Sequence, residues 1–97
     1  MRVITGSARG RKLKTLEGMD TRPTSDRVKE AVFSAIQFDL PGSVFLDLFA
    51  GSGQMGIEAL SRGAKQAVFN DLNPKAAQIV RDNLLATGFS RQARVLN

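Results

Sequence analysis

Residues 44–56 read VFLDLFAGSGQMG and carry the strongest structural signal in this chain. The segment from Val44 to Phe49 is apolar except for Asp47, which is typical of a parallel strand covered by helices on both faces. Three glycines follow, and glycine accepts positive φ angles and lets a ligand come close to the backbone. A helix is predicted for residues 55–62, ending at Gly63. The order of strand, glycine turn and helix predicts a cradle for a nucleotide.

An acidic residue lies at the expected distance from this turn. Residues 66–70 form a second predicted strand, and Asp71 follows it, twenty residues after Gly51. In a βαβ unit, an acid at this point accepts hydrogen bonds from ribose hydroxyls, and one carboxylate serves two hydroxyl donors. In the alternative, structural interpretation the glycines only close a tight corner, and Asp71 is a turn residue or a helix cap.

Asp47 bears on which nucleotide the cradle holds. A dinucleotide places a charged pyrophosphate at the helix N-terminus, and a carboxylate at the end of the strand would repel it. The same carboxylate attracts a cationic group such as the ammonium of a methionine moiety. S-adenosylmethionine has that ammonium, a sulfonium and a ribose but no phosphate, so the pattern favours it. A fragment of an NAD-dependent oxidoreductase remains the alternative.

Three separated segments match one known family in the same order. They are DLFAGSG with GIEALSRGA (47–53 and 56–64), RVITG with GRKL (2–6 and 10–13), and TRPTSDRVKE (21–30). Together they resemble the RsmD-type 16S ribosomal RNA guanine-N2 methyltransferases, over nearly the whole chain. The resemblance implies an α/β, Rossmann-like class I S-adenosylmethionine-dependent methyltransferase fold, preceded by a β-hairpin and a helix.

The resemblance also implies a reaction. It is methyl transfer from S-adenosylmethionine to the exocyclic N2 of a guanine in 16S rRNA of the small ribosomal subunit or its assembly intermediate, guanine 966 in the family. The family's Asn/Asp-Pro-Pro-Tyr/Phe motif, which holds the target amine, has no counterpart because this sequence contains no Pro-Pro pair. We therefore assign no catalytic residue and expect the chain alone to be inactive.

The length fits only part of such a domain. The chain has 97 residues, whereas a sheet of about seven strands needs roughly twice that number. We expect a basic hairpin arm and linker over residues 1–21 and the amino-terminal half of the methyltransferase domain over 22–97. The strand from Val44 to Phe49 would then lack a partner on one edge, and an open apolar edge favours self-association.

Composition excludes several classes of function. The sequence has no cysteine and no histidine, so it lacks thiolate metal ligands and the commonest general base. No apolar run approaches the ~20 residues of a membrane span, and the amino terminus lacks the apolar core of a signal peptide. We expect a soluble, cytoplasmic protein without a metal or a membrane partner.

The net charge of +5 is concentrated near the amino terminus. Five cations and no acid lie within residues 2–14, which we call the basic arm, and the other nine cations are matched by nine acids. A local basic patch indicates a polyanionic partner. A noncatalytic RNA-binding module and a solvated, disordered basic tail are the alternatives. The candidate RNA contacts are Arg9, Arg11, Lys12 and Lys14.

Ten residues are candidates for contact with the methyl donor. The resemblance places Arg22 beside the methionine carboxylate with Thr24 as a donor to it, although Thr24 could instead cap a helix and Arg22 could be a surface cation. Leu72 would touch adenine or join the core, and the same alternatives hold for Phe49. The full set is Arg22, Thr24, Asp47, Phe49, Ala50, Gly51, Ser52, Gly53, Asp71 and Leu72.

Capping residues locate the remaining elements. A helix is predicted from Thr24 or Ser25 to about Phe38. A second begins after Asn73 with Pro74 at its first position and ends at Gly88. A third strand is expected to begin near residue 94. The predicted inner positions of the two helices are Val28, Ala31, Val32, Ala35 and Ile36, with Phe33 beside them and widening the stripe, and Ala76, Val80, Leu84 and Thr87.

Overall fold

A computed structural model describes residues 2–15, 26–48 and 50–97. Three strands form a parallel sheet in the order β1-β2-β3, which is a partial Rossmann-like α/β domain as expected. In chain order the elements are α1 (Asp26–Ala35), β1 (Val44–Asp47), α2 (Gln54–Ser61), β2 (Gln66–Asn70), α3 (Pro74–Thr87), a 3₁₀ turn (Ser90–Gln92) and β3 (Ala93–Leu96).

One face of the sheet is packed tightly against α2. Phe45 pairs with Ala67 and Asp47 with Phe69, and paired residues of neighbouring strands project to the same face. Ala67 and Phe69 are fully buried. A Cβ atom built on Gly56 would lie 2.3 Å from the Phe69 ring, so only glycine lets α2 approach the sheet this closely.

The other face of the sheet is open in the part of the chain described here. Val44 and Leu46 are 61% and 58% exposed, and β1 pairs only with β2. The expectation that this strand is covered on both faces is therefore wrong for the described residues. Its apolar outward residues remain largely exposed, whereas Phe45 contacts Phe33 with ring centroids 5.9 Å apart.

The inner face of α1 also differs from the prediction. Val28 and Val32 are exposed, whereas Lys29 and Phe33 are fully buried. The helix ends at Ala35, short of Phe38. Lys29 is buried because it pairs with a carboxylate on α2, a partner that an apolar periodicity cannot reveal.

The capping signals of α3 are confirmed. Asn73 accepts a hydrogen bond from Lys75 N, Pro74 opens the helix, and Gly88 closes it with positive φ. Among the predicted inner positions Ala76, Val80 and Leu84 are buried, while Thr87 is half-buried. Asn83 is an additional buried position that the apolar pattern missed.

The basic arm forms less β-structure than predicted. Its two limbs meet in a single antiparallel bridge between Arg2 and Lys12. Val3 and Leu13 face inward and, with Ala8, belong to the same hydrophobic cluster as the sheet and helices. Side-chain anchors on α2 and α3, described below, take the place of longer strand pairing.

Candidate functional site

The glycine loop, residues 50–53, joins the end of β1 to the start of α2. Gly51 and Gly53 have φ angles of 55° and 83°. Gly53 N donates to Ala50 O at 2.7 Å, and Ala50 N donates to Asn70 O at 3.1 Å. The loop is therefore a tight turn tied to the carboxyl end of β2.

Asp71 holds the glycine loop from the side of β2. Its Oδ2 accepts from Gly51 N at 3.0 Å, and its Oδ1 accepts from Asn73 N at 2.9 Å. The Asp71 side chain therefore orders the turn around it, which is the structural alternative that the sequence left open. A carboxylate has about four lone-pair sites, so two backbone bonds leave acceptor capacity for ligand hydroxyls.

Asp47 holds the start of α2 from the side of β1. Gly53 occupies the N-cap position and has no side chain to accept from the first turn. Asp47 Oδ2 accepts from Gly56 N at 3.3 Å instead, where an anion is favoured by the helix dipole. Burial raises the pKa of the Asp47 carboxyl, the Gly56 N–H partly offsets that rise, and the charge of Asp71 adds to it.

These two carboxylates give the mouth of the loop a negative character. Asp47 and Asp71 lie at the ends of neighbouring parallel strands, and the charge of Asp71 acts on Asp47. Such a pair attracts a cationic group and accepts from hydroxyls, and it repels phosphate. Within the described residues there is no cluster of acids fit to bind a metal ion.

Only some of the other candidates for contact with the methyl donor lie in the described parts of the chain. Ser52 and Gly53 lie in the glycine loop, and Leu72 next to Asp71 is 90% exposed. The alternative in which Leu72 joins the core is therefore wrong, and its side chain is open to a ligand. Arg22, Thr24 and Phe49 lie outside the described residues.

The four candidate RNA contacts are all exposed on the basic arm. Two of them are also held by α3. Arg11 Nη1 donates to Ala86 O at 3.5 Å, and Lys14 Nζ lies 3.6 Å from an oxygen of Asp82. Within the described residues, Arg9 and Lys12 have no ion pair and point to solvent.

A buried ionic cluster, the Glu58 cluster, anchors the first limb of the arm to α2. Glu58 and Lys29 are 0% exposed and their charged atoms are 3.5 Å apart. Glu58 also accepts from Ile4 N at 2.8 Å, Thr5 N at 3.0 Å and Arg62 Nε at 2.9 Å. The cluster ties the arm to the helix that starts at the glycine loop.

Ser61 is a second anchor on the same helix. Its Oγ accepts from Ala8 N at 3.0 Å and donates to Thr5 O, and its carbonyl accepts from Ser7 N at 2.8 Å. A Cβ atom on Gly6 would lie 1.8 Å from this carbonyl. A side chain at Gly6 would therefore push the arm away from α2.

Asn83 on α3 anchors the second limb. It is 1% exposed, and its side chain accepts from Lys14 N at 2.7 Å and donates to Lys14 O at 3.0 Å. The same amide donates to Ser52 O at 2.8 Å. Sequence reasoning missed Asn83, and the only signal was a polar residue between two apolar positions of the α3 inner face.

No helix within the described ranges combines the length and the apolar character that a membrane crossing requires.

Comparison with known proteins gives consistent matches. The model of a family described as conserved hypothetical protein 95 matches residues 1–97. The chain is 50% identical to "Putative rRNA methyltransferase YlbH" of Bacillus subtilis, covering 98% of this chain and 52% of that protein. It is 45% identical to "Ribosomal RNA small subunit methyltransferase D" of Haemophilus influenzae, covering 100% and 51%.

A solved structure agrees with these sequence matches. "Putative methyltransferase yhhF from Escherichia coli" superimposes with a TM-score of 0.86 at 39% identity, covering 100% of this chain and 51% of that one. The chain spans about half the length of the curated relatives it matches.

Proposed function

We propose a function from one premise: this chain belongs to the RsmD family, whose model is described as conserved hypothetical protein 95. The chain carries the donor-binding part of an S-adenosylmethionine-dependent rRNA methyltransferase that acts on the exocyclic N2 of a guanine in 16S rRNA. Guanine 966 is the proposed target because the family resemblance implies it. The observation that carries the proposal is the pair of carboxylates on either side of the glycine loop.

The geometry supports a specific division of roles in donor binding. Asp71 accepts from the ribose hydroxyls while it orders Gly51, and Asp47 faces the ammonium of the methionine end. Leu72 offers an exposed apolar surface to adenine. Arg22 and Thr24 are proposed to bind the methionine carboxylate.

S-adenosylmethionine supplies a methyl group that its sulfonium charge already activates. The chain's task is to hold the donor in line with the acceptor, and such positioning can contribute ~7–11 kcal/mol. A guanine amine is a poor nucleophile because its lone pair is delocalised into the ring. This sequence contains no Pro-Pro motif to hold that amine, so we assign no catalytic residue to it.

The proposed partner is 16S rRNA in the small ribosomal subunit or its assembly intermediate, in the cytoplasm. Support comes from the exposed cations of the basic arm. Arg9 and Lys12 are the best candidates for phosphate contacts, since Arg11 and Lys14 also contact α3.

Calorimetry with the full-length protein tests the donor. We expect binding of S-adenosylhomocysteine and none of NAD. Asp39→Ala is the control for the loss of a negative charge, because it removes an exposed acid before β1, whereas the glycine loop follows β1. It should bind S-adenosylhomocysteine like the wild-type protein. Binding of NAD with indifference to S-adenosylhomocysteine would contradict the proposal and favour the oxidoreductase alternative.

Transfer of tritiated methyl groups to undermethylated small ribosomal subunits tests the reaction.

The salt dependence of RNA binding tests the basic arm. The double variant Arg9→Gln/Lys12→Gln should keep its affinity for S-adenosylhomocysteine and reduce the slope of log RNA affinity against log salt by about 2. Lys75→Gln/Arg81→Gln, which removes two exposed cations of α3, is the matched control. RNA binding without any methyl transfer would favour the noncatalytic RNA-binding module.

A further inference from the structure

We propose that Asn83 is a positioning residue that fixes the basic arm at a set distance from the glycine loop. This inference rests on the proposed function. RNA phosphates held by the arm would then lie in a defined place relative to the bound donor. The arm acts as a rigid spacer in addition to attracting RNA by charge.

The bonding of Asn83 carries this inference. The amide pairs with both the N–H and the carbonyl of Lys14, the pattern that a neighbouring strand would offer. Its second amide hydrogen reaches Ser52 O in the glycine loop at 2.8 Å. One buried side chain therefore touches both the arm and the loop, and both of its donor hydrogens are used.

The first limb of the arm is fixed independently. Glu58 and Ser61 hold its backbone from Ile4 to Ala8 through bonds with α2, and α2 begins at the end of the glycine loop. The stretch from Arg9 to Lys12, which carries exposed cations, therefore lies between two anchored limbs. Cations on a mobile tail would need none of these buried anchors.

A rigid spacer and a charged tether respond differently when an anchor is removed. Loosening the arm leaves its charges in place, so the encounter with RNA changes little. The reacting atoms, however, are held less well in line, and a misplacement of about 1 Å can cost roughly 10²-fold in rate. The effect is thus expected in kcat and little in KM.

The test uses the full-length protein and two loosening variants. Asn83→Ala removes the anchor of the second limb, and Ser61→Ala removes the side-chain anchor of the first limb without touching the loop. Thr87→Ala is the matched control, since among the residues with described positions Thr87 Oγ1 donates only to carbonyls of α3 itself. The readouts are S-adenosylhomocysteine affinity, thermal melting, and single-turnover and steady-state transfer to undermethylated subunits.

We expect both loosening variants to lower the transfer rate by ~10-fold or more while the KM for subunits stays within about twofold. Asn83→Ala should also weaken S-adenosylhomocysteine binding several-fold, because the hydrogen bond that holds Ser52 O from α3 is lost, whereas Ser61→Ala should not. If Asn83→Ala fails to fold, Ser61→Ala alone decides the question.

Wild-type rates in the folded loosening variants, or a rise in KM that accounts for the whole loss, would overturn the inference and leave the proposed function intact. No transfer by the wild-type protein would overturn the proposed function and the inference together. A loss of rate in Thr87→Ala equal to that of Asn83→Ala would assign the effect to α3 stability and also overturn the inference.

Discussion

Asp47 lies where burial and the charge of Asp71 both raise the pKa of its carboxyl. A pKa that is higher in the folded than in the unfolded chain favours folding at low pH. This contribution is fully present below the unfolded pKa and is lost as pH rises through the folded pKa. At neutral pH the ionised Asp47 therefore costs stability, and this cost is consistent with a role in ligand binding.

Asp47→Asn should separate these two effects. An amide oxygen can still accept from Gly56 N, while the buried charge is removed. We expect a melting temperature at pH 7 equal to or above that of wild type, with the difference shrinking as the pH is lowered through the raised pKa. S-adenosylhomocysteine affinity should fall by ~1.5–3 kcal/mol, the usual worth of a hydrogen bond to a charged group. A lower melting temperature at pH 7 would contradict this account.

Asp71→Ala should weaken donor binding by about 1–3 kcal/mol and lower stability by a similar amount, because Gly51 N and Asn73 N lose their acceptor. Asn73→Ala is the control, since loss of this N-cap costs ~1 kcal/mol of stability without removing a bond to the loop. Calorimetry and thermal melting of both variants separate ligand contact from loop order. Equal donor affinity in the two variants would show that Asp71 acts only as a turn residue.

At the scale of single residues, spacing predicted where Asp47 and Asp71 lie, because strand ends and turn lengths are local properties of the sequence. Their backbone partners were not predicted. Spacing does not say that a carboxylate will cap a helix whose own N-cap is glycine. The burial of Lys29, Glu58 and Asn83 was missed for a related reason, since each depends on a partner more than 25 residues away.

At the scale of elements, the Glu58 cluster joins the arm, α1 and α2. Lys29 reaches the carboxylate from α1 and also donates to Arg2 O at 3.1 Å. Arg62 lies over the Phe33 ring at 4.9 Å and pairs with Glu30 at the surface. We therefore expect the buried Glu58 to contribute much more to the stability of the folded chain than the exposed Glu30.

Glu58→Ala should lower the free energy of unfolding by about 3–5 kcal/mol, the cost of leaving a buried partner charge unpaired. Glu30→Ala should cost about 1 kcal/mol or less, since this side chain is 47% exposed and surface pairs contribute little. Urea unfolding of both variants measures the contrast. Similar midpoints for the two would mean that the buried cluster contributes no more than a surface pair.

Elements with local end signals were predicted well. β2 has the predicted bounds, and α3 begins and ends at the predicted caps. The predicted buried face of α1 was wrong, because the periodicity of the sequence locates an apolar stripe but does not show which elements pack against the helix. The strands of the arm were overestimated for a similar reason, since side chains of α2 and α3 satisfy backbone groups that a second strand would otherwise pair.

At the scale of the whole molecule, the open sheet face is the main consequence of a partial domain. Leu46 and Val44 expose apolar surface on this face, and β1 is also an edge strand of the described sheet. An exposed apolar patch and an unpaired strand edge both promote association. The parallel sheet itself was predicted from the order of strands and helices. The uncovered face follows from how much of the fold the chain contains, which local patterns do not specify.

The 97-residue chain produced alone should self-associate in sedimentation experiments, with a larger average mass at higher concentration. Leu46→Lys should reduce this association because a charge on an edge strand opposes pairing. Phe38→Lys removes an apolar side chain exposed on a turn outside the sheet and should leave association unchanged. An equal effect of both substitutions would indicate nonspecific hydrophobic association instead of association through β1.

The anchoring of the arm has a consequence for synthesis. Ile4 bonds to a residue 54 positions later, and Lys14 to one 69 positions later. At ~5–20 residues per second, the residues of the basic arm are translated roughly 3–14 seconds before the residues that anchor them. During that interval the arm is an unanchored polycation of the nascent chain, and it can assume its final conformation only after residues 58 and 83 have been made.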